Sequence, residues 1–437
     1  MSTITEAGFT QEGFDAFLLE RREPDWLRRR RIEAWEAFEE MPMPRGGEEW
    51  RRTDLRAFKL ERFGLPLLPP ADTAMPPGLL GKGVELAARA MTFDSLLLHA
   101  ELDPGPAGQG VLFGSLDDLV MEHGDLLRRY LLAGIVDPFY DKFAALHAAC
   151  WQGGTLVYVP RGVAVERPFY LLSTLSPGGV DLGHTLIVLE EGAEATVVSE
   201  TASSDPDGGG LHCGAIEILL GPGARLRYVN LQDWGSGVWH FAHQRALVKR
   251  DASLQWTIGA LGSRLAKVNQ HVALVGEGAH AQVNGVMFTE GRRHLAYHTL
   301  QHHQTPHGTS DLLYKGALQD RSHLVWRGMI KVDPDAQKTD AYQRNDNLML
   351  SEQARADSIP GLEIEADDVR CSHGATAGRV DDEQVFYAQS RGLTRKEAVR
   401  MIVSGFFQQV FDRIAIPNVR EALAQAIGHR VREYQET

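Results

Sequence analysis

EEGAEATVV (190–198), GPGARLRYV (221–229), KRDASLQWT (249–257) and GEGAHAQVN (276–284) are four variants of one phrase: a turn, an alanine, then an alternating strand. The alanines fall at Ala193, Ala224, Ala252 and Ala279, so the steps are 31, 28 and 27 residues. A recurrence of this length marks stacked units, each covering the apolar face of its neighbour. The units are β-prone with no intervening helical pattern, which favours a parallel β-solenoid over βαβ units. Alternation alone leaves an antiparallel sandwich open.

Outward from the repeat, the β texture runs from Gly153 to about Arg370. Residues 1–150 read as a mainly helical N-terminal region. In PDWLRRRRIEAWEAF (24–38), Trp26, Arg30, Glu33 and Ala37 keep helical spacing, with Pro24 suited to the first turn. A Pro-rich linker occupies 64–78, and DPFYDKFAALHAACW (137–151) reads as a further helix. The core is expected over 151–375 and a helical region over 376–437. There, Asp381 with Gln384 and Thr394 with Glu397 have capping-box spacing, and Gly392 suits a helix end. Val399, Ile402, Val403, Phe406, Val410 and Ile414 form one helical stripe, and Val419, Leu423, Ile427 and Val431 form another. Such stripes serve the chain's own core or the docking of a partner.

Composition narrows the function classes. A formal net charge of −13 argues against a general nucleic-acid binder, and interleaved acids make the Arg28–Arg31 run a solvated helix face. No apolar run reaches membrane-spanning length and the start lacks a secretion signal, so a cytoplasmic protein away from the membrane is expected. Cys150, Cys213 and Cys371 are too few and too scattered for a disulfide framework or a four-cysteine cluster site.

The densest chemistry lies in ADDVRCSHGATAGRVDDEQVFYAQSRG (366–392). Cys371 and His373, two residues apart, share a face of a straight strand, and sulfur with imidazole can address iron, copper or zinc. The same residues also read as ordinary packing beside a turn. His294, His298 and His302 step by four, with His303 and His307 close by. On a helix that spacing would suit a metal, but the surrounding text is strand and loop, which favours structural or surface roles. Phosphate-binding-loop and nucleophile-elbow signatures are lacking, so no catalytic residue is nominated.

Longer blocks carry a resemblance. CSHGAT followed by DEQVFYAQSRG, HLAYHTLQHHQTPHGTSDLLYKGAL (294–318), AQKTDAYQRNDNLMLSEQARADSIPGLEI (336–364) and EEWRRTDL (48–55) resemble, in order, segments of the SufB/SufD family of iron–sulfur cluster assembly proteins. Arg52 stands where that family's EEWRYTDL has tyrosine. Gly374 in place of a glutamate, and Asp346 or Asn347 in place of a cysteine, point to the SufD-like branch. The resemblance implies a right-handed parallel β-helix between helical ends. It implies a non-catalytic scaffold that pairs with a SufB-like paralogue and docks a SufC-like ABC-type ATPase, with Val399, Ile402, Phe406, Val410, Leu423 and Ile427 as the docking stripe. His373, with Cys371 as a weaker candidate, would meet a nascent iron–sulfur cluster at the heterodimer junction alongside ligands of the partner chain. That cluster would be transient and confined to the complex, with none in the isolated chain, which could pair with itself. A β-helix enzyme acting on polysaccharide and a purely structural adaptor are the alternatives.

Overall fold

The computed structural model describes residues 8–65, 78–80 and 83–431, so most of the Pro-rich linker lies outside the described residues. Two long sheets face each other across one core, and the chain alternates between them about 8 times. Each alanine of the repeat is fully buried at the corner where a strand of the first sheet begins. From there Glu194–Ser203, Arg225–Asp233, Ser253–Ala260 and His280–Thr289 pair in parallel, residue opposite equivalent residue. Thr309–Leu318, Asp340–Met349 and Arg370–Arg379 continue the ladder. Between successive strands the chain crosses to the second sheet, whose last members are Leu265–Leu274, His294–His303, His323–Val332 and Arg355–Ile364. The fold is the expected parallel β-solenoid with helices at both ends of the chain.

Strand alternation sends every second side chain into the lumen. Leu226, Tyr228, Leu254, Trp256, Val283, Tyr297, Tyr314 and Trp326 fill it, each at most 1 % exposed. The opposite faces of both sheets are also apolar, which obliges each to find a cover. Helices Gln11–Glu20, Asp25–Glu40 and Lys142–Cys150 lie on the second sheet, packing Phe14, Trp35, Phe38 and Phe143 with Leu211, Trp239 and Phe241. Helices Arg395–Phe411 and Pro417–Arg430 lie on the first, over Val229, Leu231, Phe288 and Leu313. None of the described helices is long and apolar enough to cross a membrane.

The sheets outrun the span expected for them. Ala88–Phe93 adds in parallel to Phe169–Leu175, and Leu96–Leu102 turns back antiparallel on it. Leu112–Ser115 runs antiparallel to Thr155–Val159, so the ladder starts well before residue 151. At the other end the last strand reaches Arg379, past residue 375. Ladder hydrogen bonds, not composition, set these limits.

Candidate functional site

The final coil ends without a cover. Arg370–Arg379 and Arg355–Ile364 are the terminal strands of their sheets, each ten residues long and each bonded on one side only. Their predecessors are largely buried, whereas Arg370–Arg379 is mostly exposed and Arg355–Ile364 half-buried to exposed throughout. The coil therefore leaves a mouth to the lumen, rimmed by unpaired backbone donors and acceptors.

Register fixes what faces that mouth. Cys371, His373, Ala375 and Ala377 stand over Ala341, Gln343, Asn345 and Asn347, four buried residues of the preceding strand. Cys371 and His373 thus share the lumen face, as their spacing requires. Cys371 is half-buried against the cluster formed by Ile330, Val332, Ala336, Ala341 and Ala366. Burial, and then Asp340, push its thiol up, which leaves it a poor nucleophile at neutral pH. His373 is exposed on the same row. Below it the lumen turns polar: Gln343 Nε2 donates to the Gly361 carbonyl at 2.9 Å, and Asn347 Nδ2 donates to Asn345 Oδ1 at 2.7 Å and Ser358 Oγ at 3.0 Å. Asp346, on the outer face, takes Arg344 at 2.9 Å and Thr376 at 2.7 Å. Gly374 leaves open space, its nearest neighbour for an added Cβ being Tyr342 Oη at 3.6 Å.

The other nominated residues separate. His294, His298 and His302 share the outer face of the second sheet and part to different partners. His294 meets His323 at 3.0 Å, His298 meets Glu49 at 2.9 Å, and His302 meets Asp333 at 2.8 Å. His303 points into the lumen toward Ser310 Oγ at 2.8 Å, and His307 occupies a turn at φ 60°. Among the described residues, no three His, Cys, Asp or Glu side chains converge as a metal site.

The docking stripe needs correction. Val399, Val410, Leu423 and Ile427 are at most 2 % exposed, buried against the chain's own first sheet. Ile402 and Phe406 pack partly on the same cluster, and the Phe406 ring lies 4.7 Å from the Lys315 ammonium. The uncovered sheet claims the stripe, so its apolar face is unavailable to a partner. Exposed instead are Phe386 and Tyr387 on helix Asp382–Ser390 and Met401 on the next helix, at 73, 62 and 54 %. Val385 and Ala388 bury the other side of that helix, and their spacing of three already placed Phe386 and Tyr387 outward.

Sequence reading also missed a charged cluster beneath the EEWRRTDL segment. Lys267 is buried, with Nζ 3.0 Å from the Glu49 carbonyl and 2.9 Å from the His298 ring nitrogens. Burial pushes its ammonium down to about 7, offset only in part by Glu49 and Asp141. Burial alone would raise Glu49, but the hydrogen bond and charge of His298, then Lys267 and Arg327, bring it down to about 2.

A long parallel solenoid, sealed on both faces by its own helices and open at one end, is a scaffold that offers edges rather than a closed catalytic cleft. Comparison with known proteins gives the family. Residues 173–406 match the SufBD core domain of SUF-system FeS cluster assembly, and residues 15–171 match the SufBD protein N-terminal region. An iron–sulfur cluster assembly SufBD family protein of Mycobacterium leprae is 36% identical over 67% of this chain and 75% of its own length. Over 99% of this chain and all of the relative, the iron–sulfur cluster assembly protein SufD of Bacillus subtilis is 28% identical. SufB of the same organism is 26% identical, over 92% of this chain and 89% of that one. The chain belongs to the SufB/SufD family of iron–sulfur cluster assembly proteins, a scaffold family. That membership leaves the polysaccharide alternative without support.

Proposed function

We propose that this chain is the SufD-like, non-catalytic subunit of a SufBCD-type scaffold, pairing with a SufB-like subunit through its final coil. The carrying observation is the pair of unpaired ten-residue edges around a mouth that holds His373 and Cys371 on its lumen face. Exposed edges of that length are a liability unless another strand covers them, and strand addition supplies many backbone hydrogen bonds at once. A SufB-like solenoid offering equivalent edges would complete both sheets and bring its own ligands opposite His373. Neutral imidazole binds iron yet releases it more readily than thiolate, which suits a cluster built for transfer. The nascent cluster is cargo held between the subunits, and the isolated chain holds none. Without the paralogue, the same edges would pair with a second copy of this chain. A SufC-type ATPase would dock on the C-terminal helical region through Phe386, Tyr387 and Met401, which the fold leaves uncovered.

Co-expression with a SufB-like subunit and its ATPase, followed by mass determination of the complex, tests the assembly. His373→Ala should leave that complex intact and depress cluster formation in cells, because an exposed imidazole contributes little to folding. Failure of the wild-type chain to enter the complex would sink the pairing. Normal cluster formation by the variant would reduce His373 to a packing residue, and loss of soluble protein would favour the structural-adaptor reading.

A further inference from the structure

On the second sheet, the segment from Met43 to Lys59 arches over the strand starts at His323 and Arg355, the latter opening the final strand of that sheet. It encloses an open groove of about 860 Å³. Two consecutive glycines in left-handed backbone, Gly46 at φ 68° and Gly47 at φ 64°, make the bend that lifts Arg45 to one side of it. The arch is rigidly held. Glu49 is clamped by His298 and Arg327, and Trp50 is buried against Phe143 and Phe241 with ring centroids 5.7 and 6.4 Å away.

Six cationic side chains line this groove: Arg45, Arg51, Arg52, Arg56, Lys59 and Arg355. The single carboxylate among the lining residues, Asp54, is taken by Arg56 at 2.7 Å. Arg355 is engaged by Asp357 at 3.0 Å, and Arg52 stands 3.9 Å from the same carboxylate. No described ion pair involves Arg45, Arg51 or Lys59, all of which are exposed. A chain of net charge −13 has thus gathered uncompensated positive charge in one concave place. Like charges collected this way cost stability unless a counter-charge arrives.

We infer that this groove binds an extended acidic segment of a partner protein, one carrying several Asp or Glu side chains. Three features favour that ligand. The guanidinium groups are spread along the arch instead of converging on one point, so they match carboxylates distributed along a chain better than a lone phosphate; planar forks pair bidentately with carboxylates. The groove floor adds Met43, Pro44, Leu55 and Phe58, apolar surface for the intervening residues. A long nucleic acid would have to lie across the acidic remainder of the surface, which repels it, whereas a short acidic segment carries its charge only where the arginines are.

The test uses the full chain and a fluorescent dodecapeptide of alternating Glu and Gly, read by anisotropy at physiological salt. R45E/R51E/K59E should weaken binding by about tenfold or more, about 1.4 kcal/mol. R225E/R227E/R250E, the same charge change on exposed positions of a first-sheet strand and a neighbouring turn, should leave binding within about twofold. Equal losses in the two variants would reduce the effect to bulk charge and overturn the inference. So would absence of binding by the wild type, or stronger competition from pyrophosphate or a twelve-residue oligothymidylate than from unlabelled peptide. Circular dichroism confirms that both variants keep their β content, which the exposure of all six positions leads one to expect.

Discussion

Replacing Glu49 by Gln removes one charge and almost no volume from the clasp that holds the 43–59 arch to the second sheet. In the native chain this carboxylate accepts from His298 at 2.9 Å and from Tyr140 Oη at 3.0 Å, meets Arg327, and lies 3.9 Å from the Lys267 ammonium. A carboxyl brought from 4.5 to about 2 is worth, at full weight, about 3 kcal/mol above pH 4.5. Since 40 % of the side chain is in solvent, screening leaves about 2 kcal/mol. The folded value lies below the unfolded one, so this stability is present above pH 4.5 and drains away as pH falls toward 2. The arch is a local element, so the loss should appear first as local opening. Amide exchange across 43–59 at pH 7 should accelerate by about 30-fold in the variant, with the solenoid strands unchanged. Urea unfolding at pH 3 should show the difference between variant and wild type shrunk to about half. Unchanged exchange across 43–59, or an equal difference at pH 7 and pH 3, would refute the clasp.

Lys267 supplies a prediction of the same sign in a higher pH window. Its folded value of about 7 lies below the unfolded 10.5, so the wild type should gain about 2 kcal/mol between pH 7 and pH 9. Lys267→Met should abolish that rise in urea unfolding, and an identical rise in both proteins would show that the amine is not desolvated. Truncation after Gly392 should give aggregated protein, because it strips the cover from Val229, Leu231, Phe288 and Leu313. A soluble, β-rich truncated chain would show instead that the first sheet tolerates an exposed apolar face.

The repeat was legible because the corner alanines are compelled. Each of the four sits fully buried where the chain turns into the first sheet, whereas the later coils place Gly308, Thr339 and Val369 at that corner and drop out of the pattern. The second strand of each coil left a fainter trace. In His294–His303 the outward positions carry His294, His298 and His302, and a step of four is even, so it satisfies strand and helix alike. Cys371 and His373 were placed on a common face by spacing alone, and the register agrees. The C-terminal stripe could not be assigned, since an apolar helix face looks the same whether it covers its own sheet or another molecule. The Glu49–Lys267 clasp was invisible for a different reason: its members are 218 residues apart and meet only through the coil stacking.

The two ends of the solenoid differ in what they can add. At the first, Leu96–Leu102 and Leu112–Ser115 run against the direction of the ladder, so no further coil can continue it in register. At the last, both sheets stop in full-length strands that still point the common way. A rod with two such ends would polymerise, each molecule seeding the next. With growth permitted at one terminus only, the pairing proposed above would consume its own adhesive: two molecules would meet mouth to mouth, and the fibre that repeated β-coils would otherwise threaten would stop at a pair.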